Sequence, residues 1–374
     1  MKDFKHTCRH FKGEKPCVFS KDDARKCGEC VDYSMRGERV LIIKAGSAGD
    51  VLRTTSILRA LRTEYPMAFI TWVVDEKNAE VLAGNPFIDE IVFSGGPAAA
   101  FVQAVKFFLA INLDVTRESS AILSLTSARL KKGFTLNRDG IVWPVNLEAI
   151  PWYRMSLSDE IKKKNKETYH DIIHDICGVK RTRNRPVLLH KQDDRAWAES
   201  FSRKYGLSGT AKKVIGINIG GGTRWVRKTP GPDKWKEIIS VLISSLPDSK
   251  FVLLAGPKER DQYEDISSFF GEKVIPGGSY NPFGRFAALV GLCDLLVTPD
   301  TLALHVATAL TKKTVVLFGP TSKAEIELYG YGRAVTAGLT CECCYKEGCE
   351  TKPDCMGSID PYAVAKAARE LMNG

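Results

Sequence analysis

Long hydrophobic runs are absent from this sequence of 374 residues. No stretch approaches the roughly 18 uninterrupted apolar residues that a membrane-spanning helix needs. Residues 1–6 also lack the apolar core of a secretory signal peptide. Both absences argue against a membrane-spanning segment in this sequence, and we expect a cytoplasmic location.

Complete nucleotide-binding motifs are absent as well. The turn Gly46-x-x-Gly49-Asp50 lacks the three glycines and downstream acid of a dinucleotide fingerprint, and it lacks the Lys-Ser/Thr of a P-loop. It does place a carboxylate where a predicted strand gives way to a helix. Asp50 is therefore either a helix cap or a general base that faces a cleft at the carboxyl edge of a sheet.

Cysteine, by contrast, is abundant, and most of the eleven residues fall into two clusters. The first cluster consists of Cys8, Cys17, Cys27 and Cys30, and the second lies between residues 341 and 355. Four thiols that end in a C-x-x-C pair can hold a tetrahedral metal, usually zinc and less often an iron–sulfur centre. Disulfides are disfavoured in a reducing compartment. We expect a Cys-rich leader over residues 1–37 with a structural metal site, and the second cluster is a further candidate.

The net charge of +10 is concentrated in one stretch. Residues 162–185 contain eight basic and three acidic side chains, an excess of five. This stretch is either a solvated linker or a surface that attracts phosphate-bearing acceptors or an anionic membrane.

Strands and helices alternate twice along the chain, which predicts an α/β protein with two doubly wound halves. In the first half, residues 38–183, we expect strands at 39–44, 69–74, 90–93 and 110–115, with helices at 51–64 and 98–108. In the second half, residues 184–340, we expect an edge strand at 187–189 and central strands at 213–219, 250–254, 273–275, 292–297 and 313–318. Residues 341–374 form a Cys-rich segment and a closing helix. Ligands bind such folds between the carboxyl ends of the strands.

Two segments of the second half are candidates for binding a nucleotide diphosphate. Three glycines end at Gly222, and Thr223, Arg224, Arg227 and Lys228 then supply a hydroxyl and three cations. Glycines let the backbone approach a ligand, and the cations match a diphosphate, although a plain basic loop has the same composition. Glu259, after the next strand, is either a ribose contact or an ordinary acid of a first helical turn.

The segment from Asp300 to His305 follows a buried strand and begins a helix. Asp300 and Thr301 are either helix caps or neighbours of a phosphate, because a helix start carries partial positive charge. His305 lies about one turn into the helix, where a lone histidine is most often structural.

Together these motifs resemble glycosyltransferase family 9, the heptosyltransferases of the lipopolysaccharide inner core. The resemblance covers residues 38–374. It rests on Asp50-Val51-Leu52 after an apolar strand, Gly222-Thr223 with Lys228 and Trp235, Gly256-x-x-Glu259, Asp300-Thr301-x3-His305 and Phe318-Gly319-Pro320-Thr321. One departure is Leu302, which stands where the family usually has glycine.

The resemblance implies a GT-B fold and an inverting transfer that needs no cofactor. Asp50 would be the base that deprotonates the acceptor hydroxyl. The donor, a nucleotide diphosphate sugar and typically ADP-heptose, would be held by the second domain. Its contacts would be Gly222, Thr223 and Lys228 at the diphosphate, Glu259 at the ribose, and Asp300, Thr301 and His305 around the diphosphate and sugar.

We therefore expect a transferase that acts on a phosphorylated glycolipid of the lipopolysaccharide core type, peripheral to the anionic inner face of the cytoplasmic membrane. A family member that uses another nucleotide sugar is the alternative. A metal-ribbon protein that binds nucleic acid is the rival from another class. It should interleave aromatic and basic residues, but residues 162–185 offer only Tyr169, so we expect no nucleic acid partner.

Overall fold

Two six-stranded sheets form the centre of the structure. The computed structural model describes residues 3–23, 26–208, 212–222, 226–346 and 348–373. The first sheet contains β1 (Arg39–Ile43), β2 (Phe69–Val74), β3 (Glu90–Phe93), β4 (Lys106–Asn112), β5 (Ser127–Leu136) and β6 (Val142–Pro144). The second contains β7 (Lys213–Asn218), β8 (Ser249–Leu254), β9 (Val274–Pro276), β10 (Leu295–Pro299), β11 (Lys313–Leu317) and β12 (Gly332–Val335).

Strand order is β3-β2-β1-β4-β5-β6 in the first sheet and β12-β11-β10-β7-β8-β9 in the second. Neighbouring strands run parallel, except β5 and β6. This topology confirms the predicted pair of doubly wound α/β halves.

The helices surround these sheets. In the leader and the first half they are α1 (Val18–Asp23), α2 (Ala48–Thr54), α3 (Ile57–Glu64), α4 (Gly96–Ala104), α5 (Arg117–Leu125), α6 (Ile150–Leu157), α7 (Asp159–Lys163) and α8 (Tyr169–Cys177). Those that follow are α9 (Gln192–Lys204), α10 (Pro232–Ser245), α11 (Arg260–Phe270), α12 (Phe283–Leu292), α13 (Leu302–Ala309) and α14 (Pro361–Asn373). None of them, within the described ranges, has the length and hydrophobicity needed to cross a lipid bilayer.

The central strands are nearly continuous apolar runs because both faces of each sheet are covered. In β1, Val40 and Ile42 join one buried cluster, whereas Leu41 and Ile43 join another on the opposite face. Strands that are buried on both faces are typical of parallel sheets.

Three sequence predictions about these elements were wrong. The predicted helix at 51–64 is divided into α2 and α3, because Thr55 between them uses its hydroxyl to bond Leu52 O (2.6 Å) and to accept from Val187 N–H (2.7 Å). That same bond explains why residues 187–189 form no edge strand: the backbone meets a side chain instead of a neighbouring strand. The fourth strand is Lys106–Asn112 instead of 110–115, since residues on both sides of the boundary are mostly apolar, with Gln103 and Lys106 as the exceptions, and such a stretch does not separate a helix from a strand.

A buried ion pair fixes the loop that leads into α2. The Lys44 ammonium pairs with the Asp114 carboxylate, and both side chains are about one-tenth exposed or less. The same carboxylate accepts from Ala45 N–H (2.7 Å) and Gly46 N–H (3.3 Å). Asp114 therefore fixes the backbone that sets the position of Asp50.

The Cys-rich leader docks at the beginning of the first sheet's strands. Gly37 N–H donates to Met67 O (3.1 Å), and the Arg9 guanidinium donates to Ala68 O (2.9 Å), just before β2. Ligand clefts of such sheets lie at the carboxyl ends, so the leader is at the far end of the domain.

The four leader cysteines line one small cavity of about 20 Å³. All eleven cysteines of the chain are free thiols, and Cys27 Sγ accepts from Lys5 N–H at 3.3 Å. Within the described residues, no three His, Cys, Asp or Glu side chains are grouped closely enough to hold a metal ion. The metal site thus stays a prediction, and binding would have to draw the thiols inward.

We predict that protein purified without chelator contains about one zinc or iron ion in the leader, because four thiols match a tetrahedral site. The double substitution Cys27→Ser/Cys30→Ser should remove that ion and lower the melting temperature, while nucleotide affinity stays near normal. Elemental analysis and thermal unfolding measure these effects. Cys293→Ser, at an isolated buried thiol, should keep the metal; equal metal content in all three proteins would contradict the prediction.

A cleft between the two domains

A cavity of about 470 Å³ lies between the carboxyl ends of the two sheets. Six residues predicted for the site line it: Asp50, Gly222, Lys228, Asp300, Thr301 and His305. Further residues that were not assigned to the site also line it: Arg53, Thr321, Glu325 and Tyr345, together with Lys162 of the basic stretch 162–185. The two halves of the chain therefore meet around one polar space.

Asp50 lies in the first turn of α2 and faces this cavity. Its carboxylate pairs with Arg53 at 2.7 Å, and its side chain is 35% exposed. Ser47 is the N-cap residue of α2, so Asp50 is not the helix cap that the sequence left open. Burial favours the protonated form, but the charge of Arg53, followed by Lys44, His305 and Lys228, outweighs it and lowers the pKa of Asp50. The group is an anion at neutral pH.

Arg53 is held by an aromatic ring as well as by Asp50. Its guanidinium lies 3.7 Å from the centre of the Tyr169 ring. The Tyr169 hydroxyl in turn bonds the Thr54 hydroxyl at 2.8 Å. Arg53 shares a helix face with Asp50 three residues away, so helical spacing could have revealed it.

Lys228 and Asp300 form the corresponding pair of the second domain. Lys228 Nζ donates to Asp300 Oδ2 at 3.1 Å and to its backbone oxygen at 3.2 Å, and the Thr321 hydroxyl donates to Oδ2 at 2.9 Å. Burial opposes ionisation of Asp300, yet Lys228 and His305 lower its pKa. Thr301, not Asp300, is the N-cap residue of α13, and its side chain makes no capping bond. The interpretation of Asp300 as an ordinary N-cap is therefore wrong, and Thr301 holds the N-cap position without a side-chain hydrogen bond to the helix.

The glycine loop after β7 is ordered by Glu259. Gly221 N–H donates to Glu259 Oε1 at 3.1 Å, and Gly222 has a φ of +77°, which glycine adopts at little cost. Glu259 is not among the residues that line the cavity. Arg227 pairs with Asp354 of the C-terminal segment at 3.0 Å. Thr223 and Arg224 lie outside the described residues.

His305 is buried in the interface between α2 and α13. It is 8% exposed, and a Cβ added to Gly49 would lie 2.8 Å from His305 Cδ2. Burial, and then the charge of Arg53, lower the pKa of His305 to about 4. Its imidazole is therefore neutral at physiological pH.

Tyr345 brings the second cysteine cluster to the cleft. Its hydroxyl donates to Glu325 Oε1 and accepts from Ser322 N–H, both at 3.0 Å. Lys162 Nζ, from α7 of the first domain, lies 4.0 Å from the centre of the Tyr345 ring. No sequence pattern marked Tyr345, because its role depends on a contact with a segment 183 positions earlier.

Known proteins resemble this chain in sequence and in fold. Lipopolysaccharide heptosyltransferase 1 of Escherichia coli strain K12 is 23% identical over 313 residues, which cover 79% of this chain and 92% of that protein. A family 9 glycosyl transferase from Veillonella parvula has a crystal structure with a TM-score of 0.72 and 22% identity, over 91% of this chain and 98% of that chain. The structure of the ADP-heptose lipopolysaccharide heptosyltransferase II of E. coli gives a TM-score of 0.62 and 18% identity, over 90% of this chain and 98% of that chain.

The likeness in fold confirms the predicted GT-B arrangement, and nothing in these comparisons supports a metal-ribbon nucleic-acid-binding protein. A sequence model of one family, described as glycosyltransferase family 9 (heptosyltransferase), matches residues 99–354. That match spans more than half of the chain. The protein belongs to glycosyltransferase family 9.

Proposed function

We propose that this protein transfers heptose from ADP-heptose to a hydroxyl of a lipopolysaccharide core-type glycolipid, with inversion at the sugar. The names of its relatives, two of them lipopolysaccharide heptosyltransferases, support this choice of donor and acceptor. One observation carries the proposal: an ionised carboxylate, Asp50 of the first domain, shares a cavity with Lys228 of the second.

Asp50 is the base in this mechanism. An inverting transfer needs a proton acceptor on the face of the sugar opposite the leaving diphosphate. Asp50 belongs to the domain opposite the donor side of the cleft. It takes the proton of the acceptor hydroxyl as the new glycosidic bond forms and the bond to the diphosphate breaks.

Positive charge for the leaving diphosphate comes from the second domain, so the reaction needs no catalytic cofactor. Among the described residues, Lys228 supplies a cation at that wall of the cavity, and the beginning of α13 adds the partial positive charge of a helix N-terminus. Gly222 and Thr301, which also line the cavity, complete the diphosphate contacts that we assign within the described residues. Asp300 holds Lys228 until the donor enters.

Glu259 and His305 have supporting roles at the donor. The second Glu259 carboxylate oxygen is the group that we assign to the ribose, while the first orders the glycine loop. A neutral His305 imidazole can donate a hydrogen bond to the sugar or the diphosphate without adding charge to the cleft.

The acceptor and the location of the enzyme follow from the cations of the first domain. Arg53 and Lys162 line the cavity on the acceptor side, where a phosphorylated glycolipid would present its charge. Since such an acceptor is anchored in a bilayer, we place the enzyme in the cytoplasm, peripheral to the anionic inner face of the cytoplasmic membrane.

Leu302 favours one alternative, a family 9 reaction with a different nucleotide sugar. Its side chain lines the cavity at a position where the family resemblance implies glycine. A bulky side chain there narrows the space for the sugar. Thermal-shift measurements with ADP-heptose, ADP-glucose, UDP-sugars and GDP-sugars distinguish the two: the largest shift with ADP-heptose supports the proposal, and the largest with another sugar supports the alternative.

Lys228→Ala should weaken ADP binding by roughly 1.5–3 kcal/mol, the scale of a hydrogen bond to a charged group. Adenosine binding should barely change, because adenosine has no diphosphate. Isothermal titration of both ligands measures the difference. Lys273→Ala, an exposed lysine of the same domain, serves as the matched control. An equal loss for adenosine and ADP would show that Lys228 is not at the phosphates.

Asp50→Asn keeps the size of the side chain and removes its basicity. We expect the transfer rate to fall by about 10²–10⁴-fold, the range of a general base. ADP affinity should be nearly unchanged, because the donor lies on the other domain. Product formation by mass spectrometry and ADP titration provide the two readouts. A variant that melts lower but keeps its turnover would make Asp50 structural.

Arg53→Gln should shift the acid limb of kcat/KM to higher pH. In the native protein Arg53 lowers the pKa of Asp50, so the base stays ionised as the pH falls. Without that cation, burial raises the pKa, and Asp50 takes up its proton at a higher pH. Rate measurements across the acidic range test this shift. Arg59→Gln, at an exposed arginine of α3, should leave the limb in place; an unmoved limb in Arg53→Gln contradicts the assignment.

A further inference from the structure

A short piece of the Cys-rich segment forms part of the cleft wall. We call residues 341–346 the strap. Cys343 N–H donates to Gly319 O (2.9 Å), and Tyr345 N–H donates to Pro320 O (3.0 Å), so the strap is bonded to the backbone that follows β11. Tyr345 also lines the cavity between the two domains. The segment that carries the second cysteine cluster therefore contributes a side chain to the site.

The backbone of the strap is strained at two positions. Cys343 has a φ of +61°, and Tyr345 has a φ of +54°. These left-handed conformations are unfavourable for residues other than glycine, because the Cβ atom comes too close to the backbone. Strain of this kind persists only where the surrounding contacts hold it, and it is concentrated at functional sites. At position 345 the strained backbone carries the side chain that lines the cleft.

The Tyr345 hydroxyl holds the Glu325 carboxylate in place. It donates to Glu325 Oε1 and accepts from Ser322 N–H, both at 3.0 Å. Burial, followed by the charge of Glu325, raises the pKa of Tyr345, so the hydroxyl keeps the proton that it donates. Lys162 of the first domain lies over the ring. Tyr345 thus fixes one oxygen of a carboxylate at the boundary between the domains.

Glu325 itself is a buried carboxylate that faces the site. The residue is 8% exposed and lines the main cavity. A carboxylate has about four acceptor positions, and the bond from Tyr345 uses one of them. Burial of such a group is unfavourable unless hydrogen bonds compensate for the lost water. The proposed mechanism uses Glu325 neither as the base nor at the diphosphate, so a different ligand is needed to explain its position.

The groups around Glu325 match the hydroxyls of a sugar. A sugar hydroxyl both donates and accepts, so it can donate to a carboxylate while it accepts from an N–H group. Glu325 and Arg53 offer these two functions side by side, because they line the main cavity together and also share a smaller cavity of about 20 Å³. A phosphate in contact with Glu325 is disfavoured, since like charges repel each other. The expected ligand is a neutral group with several hydroxyls.

We infer that Glu325 binds hydroxyls of a sugar substrate and that Tyr345 is the positioning residue for this carboxylate. The inference rests on the proposed function and adds a specificity-determining contact to it. The donor sugar and the acceptor saccharide both carry suitable hydroxyls, and separate measurements distinguish these two sources. The Cys-rich segment is then part of the sugar site.

Glu325→Gln keeps the size of the side chain and removes its negative charge. We expect about a tenfold change, the scale of a lost hydrogen bond to a charged group, in one of two quantities. A lower ratio of ADP-heptose affinity to ADP affinity, measured by isothermal titration, assigns Glu325 to the donor sugar. A higher KM for heptose-free lipopolysaccharide, with kcat less affected, assigns it to the acceptor.

Tyr345→Phe should change the same quantity by about threefold, because the carboxylate keeps its charge and loses only the bond that positions it. ADP affinity alone should be nearly unchanged in both variants, since ADP lacks the transferred sugar. The matched controls are Glu272→Gln, at an exposed carboxylate of the second domain, and Tyr362→Phe, at an exposed tyrosine of α14. Both controls should behave like the native chain.

Two results would overturn the inference. One is a Glu325→Gln variant in which the affinity ratio and the acceptor KM both equal those of the native chain. The other is an equal loss of ADP and ADP-heptose affinity together with a lower melting temperature, which is the pattern of a structural residue. A native chain that binds another nucleotide sugar more tightly than ADP-heptose would reject the proposed function instead, and the affinity ratio is then measured with that nucleotide sugar and its nucleotide.

Discussion

The close approach of Gly49 and His305 sets the geometry of the whole cleft. A side chain on Gly49 would have its Cβ 2.8 Å from the imidazole and 3.6 Å from Leu302 Cα, so α2 and α13 almost touch. Glycine inside a helix costs about 1 kcal/mol relative to alanine. Glycine is nevertheless required at position 49, because any side chain there would prevent the two domains from approaching this closely. Asp50, the next residue, thereby reaches the space that Asp300 and Lys228 occupy from the other side.

The two domains are held in this arrangement by packing as well as by polar contacts. One buried hydrophobic cluster runs without interruption from the first sheet to residues of the second, including Val214 and Leu296. At its edge Tyr169 N–H donates to Glu325 O (2.9 Å), and the Tyr329 hydroxyl bonds a nitrogen of the His170 ring (3.0 Å). Residues 325–329 thus connect α8 of one domain with the cleft wall of the other, and the site is complete only while they meet.

The sequence predicted site residues correctly where their position depends on neighbouring residues in the chain. A buried strand followed by a short polar turn placed Asp50 and Asp300 at sheet edges, and both face the cavity. It was uninformative where a contact joins distant segments: the position of Tyr345 and the use of Thr55 as a partner for Val187 have no local signature. The predicted boundary between α4 and β4 was wrong for another reason. The stretch 98–111 is apolar except for Gln103 and Lys106, and such a stretch fits a helix and a strand equally well.

Charged side chains that line the cleft, in the part of the chain that the structure describes, already have partners inside it. Asp50 is paired with Arg53, and Asp300 with Lys228. Lys162 lies over the Tyr345 ring, and the Tyr345 hydroxyl donates a hydrogen bond to Glu325. A diphosphate that binds in the cleft must replace one partner of these internal pairs. Because the charges are already paired within the protein, the diphosphate displaces few counterions that came from the solvent. Ionic strength should therefore change donor affinity little, because screening acts weakly on pairs that are shielded from solvent.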